Sequence, residues 1–135
     1  MRMAGALNRV SVLVVEDDPD TLEIFTLSLG AVGAQVRSAT SAEAALLVLA
    51  TWRPDIVLCD LHLPGVDGYS LLEHVRADLA LRTIPMISIS ASQPEIEHER
   101  SRRAGFARHL AKPSRLADIV VAVVSVRSAH AATAG

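Results

Sequence analysis

Apolar positions along this chain follow two rhythms. Residues 10–15 (VSVLVV) and 56–58 (IVL) are nearly continuous apolar runs, as in strands covered on both faces. A third strand, MISIS, opens after Pro85 and carries the hydroxyls of Ser88 and Ser90. Gln35–Ala39 is a shorter, more polar strand suited to a sheet edge, and residues 106–111 form a short strand ending at Lys112 and Pro113. Between the strands, apolar residues recur at helical spacing. The sets are Leu22, Phe25 and Leu29; Ala45, Leu46 and Leu49; Leu71, Leu72, Val75 and Leu79; and Leu116, Ile119, Val120, Val123 and Val124. The last set, in residues 114–128, has a valine density that also suits a strand; the alternation of strand and helix before it decides for a helix.

Punctuation supports these boundaries. Pro19 opens the first helix, and the glycines at 30 and 33 close it. Thr40 and Glu43 have capping-box spacing, and Pro64, Gly65, Asp67 and Gly68 supply turn chemistry. Residues 94–104 read as a helix with its acids (Glu95, Glu97, Glu99) first and its bases (Arg100, Arg102, Arg103) last, and Glu99 and Arg103 are four apart. Ile96 is nearly its only apolar residue, so it is weakly anchored and a candidate for movement. Strand–helix alternation implies parallel strands joined by right-handed crossovers, with helices on both faces. The expectation is one doubly wound α/β domain over residues 10–128, with flexible ends at 1–9 and 129–135.

Composition narrows the function. The 135 residues are 50% hydrophobic, enough for one core. A net charge of -2 and 3% aromatics argue against direct nucleic-acid binding, because neither a basic patch nor a stacking platform is evident. Cys59 is the only cysteine, cannot form an internal disulfide, and reads as a small core residue. The start of the chain is too short in apolar residues for a secretory signal, and no apolar run approaches the ~18 residues of a membrane span. The expected setting is the cytoplasm, with no membrane contact.

In a parallel sheet the strand C-termini share one edge. Glu16, Asp17 and Asp18, then Asp60, Ser90 and Lys112, each stand at or beside a predicted strand end and should converge. Taken alone, Asp60 reads equally well as a residue that ends its strand. One of the acidic trio suits a helix cap, but three exceed what capping needs. Carboxylates held together repel, and a cation relieves them. Hard oxygen ligands without a His/Cys cluster point to Mg²⁺. A carboxylate beside Mg²⁺, a lysine and a hydroxyl can receive a phosphoryl group.

The segments VVEDDP, LCDLHLPGVDG, ISISAS and LAKPSR stand in this order on the four relevant strand ends. From residue 10 to 126 the chain resembles a response-regulator receiver domain of two-component signalling. That resemblance implies a flavodoxin-like, five-stranded parallel sheet of order 2-1-3-4-5. It makes Asp60 the phosphoacceptor. Glu16, Asp17, Asp60 and the backbone carbonyl of His62 become the Mg²⁺ ligands. Ser90 and Lys112 bind the phosphoryl group, Asp18 is a helix cap, and the Lys112–Pro113 bond is cis. Cys59 acquires no role. The position that usually carries a switch aromatic is His109, a departure that weakens the usual aromatic rotation. For His62, beside the site, two readings stay open: tuning acyl-phosphate hydrolysis, or no role. His74, His98 and His130 are expected to face solvent.

The partners so implied are a histidine kinase or histidine phosphotransfer protein, and a downstream protein bound through the 94–128 face; a homodimer is possible. Catalysis would be limited to self-phosphorylation and autodephosphorylation. The chain ends after its last helix, which implies a single-domain regulator without an output domain. Two alternatives are an aspartate-nucleophile phosphatase of the haloacid-dehalogenase type and a degenerate receiver that only binds. The first typically has a second acid two residues after its nucleophile, where this chain has His62.

Overall fold

The valine-rich and isoleucine-rich runs form the middle of a sheet. The computed structural model describes residues 3–91 and 94–134, so residues 1, 2 and 135 of the expected flexible ends lie outside the described residues. The strands are β1 (Ser11–Val15), β2 (Gln35–Ala39), β3 (Ile56–Asp60), β4 (Met86–Ser90) and β5 (Arg108–Ala111). The helices are α1 (Pro19–Ala31), α2 (Ala42–Leu49), α3 (Gly68–Ala77), α4 (Pro94–Ala104) and α5 (Leu116–Ala134). The strands pair in parallel in the order β2-β1-β3-β4-β5, the flavodoxin-like arrangement expected. Every residue of β3 and β4 is buried, whereas the polar edge strand β2 buries only Ala39 fully.

Alternate side chains of the central strands feed two cores. Leu13, Val57 and Met86 pack with α2 and α3 through Ala45, Leu49, Leu71, Leu72 and Val75. Val12, Val14, Leu58 and Ile87 pack with α1 and α5 through Phe25, Leu29, Ile119, Val120 and Val123. Asp18 caps α1, its Oδ2 accepting from the Thr21 N–H at 3.0 Å, and Asp67 caps α3 through the Ser70 N–H at 2.9 Å.

Local differences from the sequence expectation have identifiable causes. The cap of α2 is Ser41 rather than Thr40: its hydroxyl accepts from the Ala44 N–H at 3.0 Å, while Glu43 still stands in the first turn. Helix α3 stops at Ala77, where Asp78 turns extended and its carboxylate accepts from the Ala80 N–H at 2.8 Å. Leu79 therefore points outward at 78% exposure, and Leu81 is buried in its stead. On α5 the inward face is Ile119, Val120, Ala122, Val123 and Val126, so Val124 is exposed. That helix continues to Ala134 instead of fraying at 129. The lead-in is not loose along its whole length either: Leu7 is fully buried and its N–H donates to the Val32 carbonyl at 2.9 Å.

One glycine sets how closely α3 approaches β3. A Cβ on Gly68 would lie 2.6 Å from the Asp60 carbonyl oxygen and 3.0 Å from the Leu61 Cα, and both are backbone atoms that cannot step aside. Gly68→Ala should therefore destabilise the protein by about 1–3 kcal/mol, read as a lower urea midpoint at unchanged slope. A midpoint equal to the wild type would show that the helix start can back away from the strand end.

Candidate functional site

Pairing of β1 with β3 sets Val15 opposite Cys59, so Glu16 and Asp60 emerge as neighbours at the C-terminal edge of the sheet. Both carboxyl groups are buried, Glu16 at 1% and Asp60 at 5% exposure. Two buried carboxylates at close range repel and lack water, so they need a counter-charge. Lys112, just beyond β5, supplies it. Its Nζ donates to Glu16 Oε1 at 2.5 Å and to Asp60 Oδ2 at 2.9 Å. The lysine backbone is anchored alongside, its N–H donating to the Ser90 carbonyl at 2.9 Å. Asp60 Oδ1 accepts the His62 backbone N–H at 2.9 Å. The Lys112–Pro113 bond is cis, as expected.

These bonds drive the two acids apart in proton affinity. Burial raises Glu16, and the neighbouring Asp60 carboxylate raises it further, to a pKa of about 7. Burial also disfavours the Asp60 anion, but hydrogen bonds from Glu16, Lys112 and the His62 N–H outweigh it and hold Asp60 below its ordinary range. Burial opposes the Lys112 ammonium, yet its bonds to Glu16 and Asp60 leave it more basic than usual. Lys112 thus bonds both acids, and Asp60 is held toward its ionised form, the form a nucleophile requires.

Asp17 completes an acidic cluster. Glu16, Asp17 and Asp60 each offer a carboxylate oxygen within 4.8 Å of the others. Glu16 Oε2 is buried and has no hydrogen-bond partner among the described residues. An unsatisfied buried oxygen beside two more carboxylates fits a small, hard divalent cation such as Mg²⁺. Ser90 is fully buried at the end of β4, opposite Ala111 of β5 and one residue past Ile89, the ladder partner of Asp60. Asp18 is not one of the clustered acids; its carboxylate caps α1 through the Thr21 N–H and hydroxyl. Cys59 lies in the core, its Sγ 3.2 Å from the Asp60 carbonyl oxygen, and burial pushes its thiol far up, which makes it inert.

The histidines divide. His109 on β5 has Nδ1 2.7 Å from the Ser88 hydroxyl, while its buried Nε2 has no partner among the described residues. Burial lowers its pKa, with nearby His98 adding to the effect. His98 is exposed as expected, and its ring also meets that of His109 edge-on with centroids 6.2 Å apart. His74 and His130 are exposed.

His62 was open between two readings, and the structure gives its side chain a definite partner: Nε2 lies 2.9 Å from Glu97 Oε1 on α4. Tyr69 OH donates to Glu97 Oε2 at 2.6 Å. Sequence reasoning missed Tyr69 and Glu97 as companions of the site. The usable signal was an acid on α4 at a position that faces the sheet, but nothing in the chain names its partners 28 and 35 residues earlier.

A parallel sheet of this order, with an acidic cleft and a lysine at its strand ends, defines a receiver-type phosphoacceptor fold. The family description "Response regulator receiver domain" matches residues 12–124, and the chain belongs to that family. It is 33% identical to the sensor histidine kinase RcsC of Salmonella typhimurium over 85% of this chain but only 12% of RcsC. It is 31% identical to the polar-differentiation response regulator DivK of Brucella anthropi, over 76% of this chain and 84% of DivK. The receiver domain of a Pseudomonas aeruginosa sensor histidine kinase, with magnesium coordinated in its active-site cleft, superposes with a TM-score of 0.80. It shares 28% identity over 88% of this chain and 98% of that one. Receiver domains are phosphoacceptor switches that interact with histidine kinases and downstream partners, and the family match removes the phosphatase alternative. Among the described residues no helix is long and apolar enough to cross a membrane.

The proton on Glu16 has a consequence for stability. Its folded pKa of about 7 exceeds the ordinary 4.5, so the folded state binds that proton more tightly than the unfolded chain does. The stability it contributes is complete below about pH 4.5 and is lost as pH rises through about 7. Asp60, with its lowered value, acts in the opposite sense only in more acid solution. Without divalent metal, the urea midpoint should fall between pH 5 and 8, and Glu16→Gln should flatten that fall. An equal fall in the variant would mean another group is responsible.

Proposed function

We propose that this receiver is a cytoplasmic, Mg²⁺-dependent phosphoacceptor in which Asp60 takes a phosphoryl group from a histidine kinase or histidine phosphotransfer protein. The observation that carries this reading is the geometry at the strand edge: Asp60 bonded to Lys112, beside a buried Glu16 oxygen with no partner among the described residues. Asp60 attacks phosphorus, the bond from phosphorus to the donor's leaving atom breaks, and an acyl phosphate forms on the aspartate. Lys112 is already within hydrogen-bond reach and neutralises the transferring oxygens, while Ser90 receives one of them from β4. Glu16, Asp17, Asp60 and the His62 carbonyl would hold the metal, which when bound supplies positive charge to the same oxygens.

The acyl phosphate then acts as a switch. It brings roughly two negative charges to the strand ends. Ser90 moves inward to donate to it and draws on the connection to α4, shifting the face formed by residues 94–128, through which a downstream protein binds. His109 shares this switch role with Ser90, but it is tied through Nδ1 to Ser88 and does not reproduce an aromatic rotation.

Incubation with acetyl phosphate and Mg²⁺ should add one phosphoryl group by intact mass, and Asp60→Asn should abolish it. Equal labelling of that variant would refute the assignment, and failure of the wild type to label would favour a receiver that only binds. Turnover of a phosphomonoester would contradict the receiver reading.

Asp17→Asn should weaken Mg²⁺ binding at least tenfold, because a hard ion loses a charged oxygen. Asp18→Asn should leave it near wild type, since that carboxylate is committed to the Thr21 N–H and hydroxyl. The reverse order in a Mg²⁺ titration would shift the metal register by one residue.

A further inference from the structure

Helix α4 is held to the domain by polar groups. Its only large apolar side chain, Ile96, is 63% exposed, whereas Glu97 and Ser101 are buried. A buried carboxylate requires partners, and Glu97 has one on each oxygen. Oε1 takes His62 Nε2 at 2.9 Å, and Oε2 takes Tyr69 OH at 2.6 Å. The tyrosine is itself clamped, with the Arg100 guanidinium 4.2 Å over its ring and Phe106 edge-on at 5.9 Å. The bridge thus ties the β3–α3 loop, α3 and α4 together.

His62 gives this bridge a connection to the chemistry. Its backbone N–H donates to Asp60 Oδ1 at 2.9 Å, while its ring holds Glu97. One residue therefore touches the acceptor carboxylate with its main chain and α4 with its side chain. The loop cannot rotate away from Asp60 without unpairing a buried carboxylate oxygen or pulling α4 along.

We infer that Glu97 is a positioning residue for the acceptor loop, and that the Glu97–His62 bond links the state of Asp60 to the position of α4. This deepens the phosphoacceptor reading and rests on it. Attachment of a phosphoryl group changes the carboxylate that the His62 N–H binds, and the strain passes through the imidazole to Glu97 and Tyr69. The coupling is reciprocal: if α4 helps to hold Asp60 in place, modification of Asp60 must disturb α4. This route runs through the β3–α3 loop and is separate from the one through Ser90 and His109. It offers a means of moving α4 in a chain that lacks the aromatic at 109.

The test uses the full chain with Glu97→Ala, Glu97→Gln and Tyr69→Phe. Without any phosphate mimic, Glu97→Ala should raise amide exchange across residues 95–104 about tenfold, the scale of losing one hydrogen bond to a charged group. It should also shift the His62 amide resonance, 35 residues away in sequence. Tyr69→Phe, which removes a single hydroxyl, should do the same to a smaller degree and serves if Glu97→Ala unfolds. Glu97→Gln keeps the shape and an acceptor oxygen, so it should restore the His62 resonance towards wild type. A merely structural helix contact would not move or rescue that signal.

On adding beryllofluoride with Mg²⁺, wild-type α4 resonances should shift, and in Glu97→Ala and Tyr69→Phe that shift should shrink at least threefold. Variants that retain the full shift overturn the coupling. If the wild type binds no mimic, the acceptor reading fails instead. The resting measurements still decide the positioning role: an unmoved His62 amide in both Glu97→Ala and Tyr69→Phe overturns it.

Discussion

The rest of this structure depends on two buried carboxyl groups, Glu16 and Asp60, sharing one ammonium. Their proximity follows from β1 and β3 being adjacent parallel strands, which brings two chain-distant acids to one edge. Burial pushes both acids up; Lys112 bonds both, holding Asp60 below its ordinary range while Glu16 stays raised, to about 7. A site of this kind costs stability in the metal-free protein, because one ammonium offsets the burial of two like charges only in part. The flanking β3 and β4, buried along their whole length, are the rigid element that sustains it.

Against that rigid centre, the helices differ in how they are held. Helix α5 buries Ile119, Val120, Ala122, Val123 and Val126 against the sheet and belongs to the core. Helix α4 turns a glutamate and a serine inward and leaves its isoleucine in solvent. Apolar burial is non-directional and survives small displacements, whereas a carboxylate pinned by an imidazole and a phenol has two discrete arrangements, bonded or not. That contrast leaves α4 anchored by directional polar bonds and α5 by apolar burial.

Much of this was legible in the chain. Continuous apolar runs marked β1 and β3, and the alternation with helical spacing marked the parallel sheet. The polar residues at the strand ends mark Glu16, Asp17, Asp18, Asp60, Ser90 and Lys112 as convergent, and of these the structure gathers Glu16, Asp17 and Asp60 in one cluster with Lys112 bonded to two of them. The residues before Pro19 offer one cap without saying which acid it is, the receiver resemblance assigns it to Asp18, and the structure bonds Asp18 to Thr21. The weak apolar content of α4 was equally visible. Errors fell at boundaries: Ser41 in place of Thr40, a helix α3 that ends before Leu79, and an α5 that runs on to Ala134. Each turned on a local bond or a burial choice of small energy, which neighbouring residues can reverse.

What the sequence determined by itself, then, was the fold and the ring of groups at the strand ends, because period-two and helical patterns dictate a sheet edge and every strand must finish there. The tertiary structure alone decided which groups pair. Lys112 bridges Glu16 and Asp60, Ser88 rather than solvent meets His109, and Glu97 faces His62 and Tyr69 instead of water. Such pairings depend on distances of about 3 Å between segments far apart in the chain. No residue pattern encodes them, since one helical rotation or one rotamer would place the same glutamate in solvent.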